Sequence, residues 1–172
     1  MRIQTDRLIL RPHRREDFPQ CVSMWADPTV TRYIGGRPFS EEETWARFLR
    51  YFGLWQVLGY GYWAIEERAS GKFVGEAGFA DFMRDLEPSV KGLPEIGWVL
   101  VPSVHGKGYA TEAARAAIAW AESDLKASRM VCLIHPENGA WIRVAEKCGF
   151  RECARTTYKD FPAILFERLR AT

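Results

Sequence analysis

Apolar positions recur at two different periods along this chain and divide it into alternating strands and helices. Residues 7–12 alternate apolar and polar, as a half-buried strand does. Residues 15–26 place Phe18, Val22 and Trp25 at helical spacing and stop at Asp27-Pro28. Residues 29–39 read as a loop with room for one helical turn, broken at Gly35-Gly36 and Pro38. Ser40 followed by Glu43 forms a capping box that opens a helix to about Leu58, with Trp45, Phe48, Leu49, Phe52 and Trp55 on its apolar side. Residues 60–67 and 72–82 read as a hairpin turning at Ala69-Ser70-Gly71, and residues 83–93 as a loop at the mouth of a site.

The stretch from Pro94 to Ala121 organises the rest. Residues 95–101 are dense in branched and aromatic side chains and read as a strand, stopped by Pro102. A glycine turn, His105-Gly106-Lys107-Gly108, leads into a helix whose Ala110, Ala113, Ala114, Ala117, Ile118 and Ala121 make a narrow face able to lie close to a sheet. Residues 129–134 form a further strand, residues 138–148 a helix closed by Gly149 and Phe150, and residues 151–158 and 163–169 a closing antiparallel pair. The crossover helix makes strands 95–101 and 129–134 parallel in a mixed, mostly antiparallel sheet with helices on both faces, an α/β (α+β) architecture. Gly97 is placed to permit a bulge there.

A chain of 172 residues without repeat or linker fits one domain. A net charge of +2 argues against nucleic acid or membrane as partner, and the composition, without signal-like or membrane-length apolar segments, suits a cytoplasmic protein. Cys21, Cys132, Cys148 and Cys153 lack metal-ligand spacing and read as reduced thiols, so no metal is expected.

The strand, glycine turn and helix form an anion cradle. The first N–H groups of a helix lack partners and carry partial positive charge, which suits a pyrophosphate. A triphosphate loop needs Ser or Thr after the lysine, whereas Gly108 follows Lys107, and a dinucleotide fingerprint needs a third glycine absent here.

Residues 105–110 resemble the acetyl-CoA pyrophosphate loop of the GNAT N-acetyltransferases, with His105 where Gln or Arg is usual. Residues 5–11, 106–113 and 136–150 are similar to the ribosomal-protein N-terminal acetyltransferase branch of that superfamily. The resemblance implies that the two parallel strands splay at their C-terminal ends around acetyl-CoA. The pantetheine arm would run beside Val99, Leu100 and Val101, and the pyrophosphate would rest on His105, Gly106, Lys107, Gly108, Tyr109, Ala110 and Thr111. Thr111 could instead simply cap the helix, and Glu112 reads as an exposed helix residue. Asn138 would lie near the thioester, though Asn also suits the N-cap where it stands.

Transfer to an amine needs a neutral amine and a stabilised oxyanion. Glu95 is the candidate base, acting through water, or else a solvent-facing strand end; Glu76 is the reserve. Trp141 stands where the branch carries a serine that protonates the leaving thiolate; Tyr158 is a candidate substitute acid, or else a packing residue of the closing strands. The acceptor would be a primary amine, on a small molecule or a protein N-terminus. The rival reading is a non-catalytic acyl-CoA-binding sensor, and exposed aromatics on the helix after Ser40 would suit a homodimer.

Overall fold

A computed structural model describes residues 1–170. Its middle layer is an eight-stranded sheet built from β1 (Ile3–Gln4), β2 (Leu8–Arg11), β3 (Tyr62–Glu67), β4 (Phe73–Ala80), β5 (Glu95–Leu100), β6 (Arg129–Ile134), β7 (Arg151–Tyr158) and β8 (Phe161–Leu169). The spatial order is β1-β2-β3-β4-β5-β6-β8-β7, so the last hairpin folds back and inserts β8 between β6 and β7. Among the described residues only β5 and β6 run parallel, as the crossover predicts. The two-residue β1 is too short to leave an alternation in the sequence.

Two cores lie on the two faces of this sheet. On one, α4 (Tyr109–Ser123) and α5 (Gly139–Lys147) cover Trp63, Phe79, Ile96 and Trp98. The small face of α4, formed by Ala113, Ala114, Ala117 and Ala121, is wholly buried, which brings the helix backbone close to the strands and fixes where its N-terminus points. On the other face, α1 (Phe18–Trp25), α2 (Pro28–Thr31) and α3 (Glu41–Leu58) enclose Tyr62, Ala80 and Val99. The loop after β4 packs Leu86 and Val90 against Val131 and Leu165, extending that cover over β6 and β8.

The sequence punctuation explains most boundaries. Ser40 Oγ accepts the Glu43 N–H at 3.1 Å while Glu43 accepts the Ser40 N–H at 2.8 Å, and α3 ends at Gly59 with φ +74°. The apolar side of α3 is narrower than its composition suggests. Phe48, Tyr51 and Leu54 turn inward, whereas Trp45, Leu49 and Phe52 are exposed.

Gly97 does not make a bulge, since β4 and β5 keep unbroken register from Ala80–Glu95 to Gly75–Leu100. The register shifts fall between Ile65 and Glu66 and between Glu152 and Ala154 instead. At Gly97 the missing side chain makes room for the Tyr62 hydroxyl, which would stand 2.3 Å from a Cβ.

Candidate active site

β5 and β6 meet at one ladder position, Glu95 opposite Val131, secured by the Val131 N–H donating to the Pro94 carbonyl at 3.1 Å. Beyond it the strands part toward their C-terminal ends. The side of β5 facing β6 is left without a ladder partner, and an extended amide-bearing group can bond there as an added strand would. Trp141 of α5 packs against both cores, and its ring centroid lies 5.1 Å from that of Trp98. A side chain that touches both faces of the sheet at this point lines the gap between the two strands.

The glycine turn closes the C-terminal end of this gap. Gly106 and Gly108 both have φ +78°, which branched side chains strongly resist, and a Cβ at Gly106 would meet nothing within 4 Å. Glycine is required there by backbone angle rather than by space. The amides of Gly106, Gly108, Tyr109, Ala110 and Thr111 donate to no carbonyl among the described residues, so a cluster of donors faces outward at the start of α4. Lys107 adds a cation, 5.8 Å from the centroid of the Tyr109 ring. His105 is turned back toward β5, its Nε2 donating to the Leu100 carbonyl at 2.9 Å. That carbonyl is therefore engaged within the protein.

The turn is buttressed from the chain's first hairpin. Arg7 Nε donates to Glu112 Oε2 at 2.7 Å and Arg7 Nη1 to the Lys107 carbonyl at 2.8 Å. Glu112 Oε1 accepts the Thr5 hydroxyl at 2.6 Å and the Arg7 N–H at 2.9 Å. Glu112 is thus an anchor and not the exposed helix residue its position suggests. Burial works to raise its pKa, but the Thr5 and Arg7 hydrogen bonds prevail and hold it below the usual carboxylate range. The Tyr109 hydroxyl donates to Glu67 at 2.7 Å, tying the first turn of α4 to β3.

Glu95, Gly97 and Val99 lie on the face of β5 opposite to Ile96 and Trp98, and Val99 packs with Phe48, Tyr51 and Leu54 of α3. Glu95 is buried and bound at both oxygens by Arg84, Nε to Oε2 and Nη2 to Oε1 at 2.7 Å each. Burial opposes the charge on Arg84, yet the bonds to Glu95 leave its pKa above the ordinary guanidinium value. Tyr158 supports this pair, with Arg84 4.7 Å above its ring. Glu76 is fully buried and accepts the Tyr51 hydroxyl. Its other oxygen lies 3.6 Å from His13 Nε2, and His13, Cys21 and Glu76 bring one ligand atom each within 4.8 Å of one another. Asn138 is buried at the start of α5, where its Oδ1 accepts the Trp141 N–H at 3.3 Å. Thr111 is half-buried in the first turn of α4.

Tyr62 and Arg47 were not among the residues the sequence singles out. Burial, and then the Glu95 charge, push the Tyr62 hydroxyl well above the ordinary phenol range, so it stays a proton donor. The glycine at position 97 was the available signal, because a strand glycine marks close approach by another group. Arg47 lies 4.0 Å above the Trp25 ring. A groove of about 630 Å³ between α5 and the β7–β8 pair, lined by Pro136, Ile142, Phe150 and Ile164, includes none of these residues.

A parallel pair that parts beside a glycine-opened helix is an arrangement shared with known proteins. The family model for the acetyltransferase (GNAT) domain matches residues 7–151. The chain belongs to the GNAT acetyltransferase family. It is 29% identical over 171 residues to the uncharacterized protein YkkB of Bacillus subtilis, covering 97% of this chain and 95% of that one. It is 28% identical to an uncharacterized N-acetyltransferase, p20, of Bacillus licheniformis, covering 87% and 82%. The structure of an acetyltransferase from Agrobacterium tumefaciens superposes with a TM-score of 0.86 at 28% identity, covering 99% and 95%. This GNAT protein is accordingly a transferase that acts as an N-acetyltransferase, and the mixed sheet with its one parallel pair is the GNAT fold.

Proposed function

We propose that this N-acetyltransferase moves an acetyl group from acetyl-CoA directly to a primary amine, both held at once in the gap between β5 and β6. The observation that carries this reading is the parting of those strands beside five unpartnered amides at the start of α4. The family's members with bound cofactor agree in kind: a spermidine N-acetyltransferase from Vibrio cholerae, sharing the fold at a TM-score of 0.75 and 16% identity, was captured with CoA and spermine.

In this reading Gly106, Gly108, Tyr109, Ala110 and Thr111 bind the pyrophosphate through their amides, with Lys107 beside them. His105 fixes the turn to the end of β5 rather than reaching for phosphate. Of the three residues at the end of β5, Leu100 offers its N–H to the pantetheine arm, while Val99 and Val101 face the β4 ladder, the Val101 N–H donating to the Val74 carbonyl at 3.0 Å, and Asn138 and Trp141 border the thioester. When bound, acetyl-CoA supplies the activated acyl carbon.

The protein's own task is then proton handling. A carboxylate whose two oxygens both accept from a guanidinium is a weak direct base, so Glu95 acts through a water and Arg84 sets its orientation. Tyr62, kept protonated and placed over Gly97, takes the donor role, and Tyr158 supports Arg84. Glu76, sealed under Tyr51, holds that tyrosine. The test is release of free thiol from acetyl-CoA across a panel of amines. Amine-dependent release that falls with Tyr62→Phe supports the reading, whereas tight CoA binding without release by any amine supports a sensor.

A further inference from the structure

We infer that the amine accepted by this enzyme carries an anionic group, a carboxylate or phosphate, which Arg47 and Arg50 receive. The inference rests on the transfer reading above and adds the chemical class of the acceptor.

α3 presents Arg47 and Arg50 one turn apart, on the side that also carries Tyr51. Arg47 lies half-buried 4.0 Å above Trp25 and 5.4 Å from the Phe39 ring, and those two rings stack at 5.1 Å. Arg50 lies 5.2 Å above Phe82, whose ring also carries Arg84 at 4.6 Å. Neither Arg47 nor Arg50 pairs with a carboxylate among the described residues. This sets Arg47 apart from the other arginines that are drawn inward. Arg11 pairs with Asp17 and Glu66, Arg84 with Glu95, and Arg168 with Glu122.

Glu76 acts on both cations through its charge without pairing directly with either, and the two acids here are already engaged. Both oxygens of Glu95 are held by Arg84, and Glu76 is sealed under Tyr51. Arg47 and Arg50 therefore carry charge that no direct ion pair takes up among the described residues. Arg50 is exposed, and partial burial and then repulsion by the Arg47 charge push its pKa down, whereas at Arg47 the opposing burial is outweighed by Tyr51 and Glu76, which hold its pKa up. An anion placed between them relieves that repulsion, and aromatic platforms hold the planar guanidinium groups in position for paired hydrogen bonds. The site is also close to the chemistry, because Arg50 shares the Phe82 ring with Arg84, which holds both oxygens of Glu95. A polyamine or aminoglycoside would meet like charge here.

The experiment compares matched amines in the thiol-release assay: β-alanine against its amide, aminoethyl phosphate against ethanolamine, and spermidine. The two arms separate carboxylate from phosphate. The expected result is at least about a tenfold higher kcat/KM for one anionic amine than for its neutral counterpart. Arg47→Gln and Arg50→Gln should each raise KM for that amine while KM for acetyl-CoA holds, and Arg47→Lys should retain part of the preference. Calorimetric titration of the same amines into the CoA-loaded protein reads binding without turnover. If no amine releases thiol but an anionic one binds in an Arg47-dependent manner, the transfer reading fails while the anion site at Arg47 and Arg50 stands. Equal or better use of neutral amines or spermidine, or an anionic preference unchanged in the arginine variants, overturns it. So does failure of every anionic amine both to bind and to react.

Discussion

The Tyr62 hydroxyl occupies the space that a side chain at position 97 would fill, 2.3 Å from where a Cβ would stand. One residue on β5 is a glycine because a tyrosine two strands away reaches across β4 to it. Gly97→Ala should therefore displace Tyr62 and cost about 1–3 kcal/mol by overpacking. Urea denaturation checks this, and adding Tyr62→Phe should return part of the lost stability while thiol release stays low.

Glu112 links the first hairpin to the donor-rich turn, and its linkage has a defined sign. Its folded pKa is depressed, so its contribution is complete above the ordinary carboxylate pKa and is lost as pH falls through the lower, folded value. CoA affinity should weaken on acidification through that window. Glu112→Gln should show weaker affinity already at neutral pH and a flatter profile, measured by calorimetry at several pH values.

Glu95 and Arg84 form a buried pair, with side chains 8% and 19% exposed. Removing one partner strands the other, at a cost of about 3 kcal/mol. Glu95→Gln should thus lose stability and rate together, and a second change, Arg84→Met, should recover stability. Rate is expected to stay low in the double variant, because the carboxylate that orders water is gone. Recovery of thiol release would show that Glu95 only positions its surroundings.

Trp141 borders the gap where the acyl group is proposed to lie. Trp141→Ser should enlarge that space, raising use of propionyl-CoA and butyryl-CoA relative to acetyl-CoA. Ratios of kcat/KM for the three donors read this, and an unchanged ratio places the acyl group elsewhere.

The strands, helices and glycine turn were legible because each rests on a local signal: a two-residue alternation, a capping box at Ser40, paired glycines before α4. Side-chain partnerships across the chain were not. Glu112 looks like a surface residue until Thr5 and Arg7 are folded against it, and Glu95 looks free until Arg84, eleven positions earlier, closes on both its oxygens. Gly97 suggested a bulge because sequence shows that a side chain is missing but not which neighbour fills the space. Arg47 carried no motif at all. Its significance lies in lacking a carboxylate partner among the described residues, which only the surrounding structure reveals.

Acetyl transfer as proposed depends on the outward-facing amides between Gly106 and Thr111 holding a diphosphate. Isothermal titration of CoA into the protein and into a variant carrying both Gly106→Val and Gly108→Val tests this directly, since valine strongly resists the φ of +78° that both positions adopt. The unaltered protein should bind CoA, and the double variant, still folded by its thermal transition, should bind at least about tenfold more weakly, or about 1.4 kcal/mol. No binding heat from the unaltered protein, or equal affinity in the two, would contradict the account.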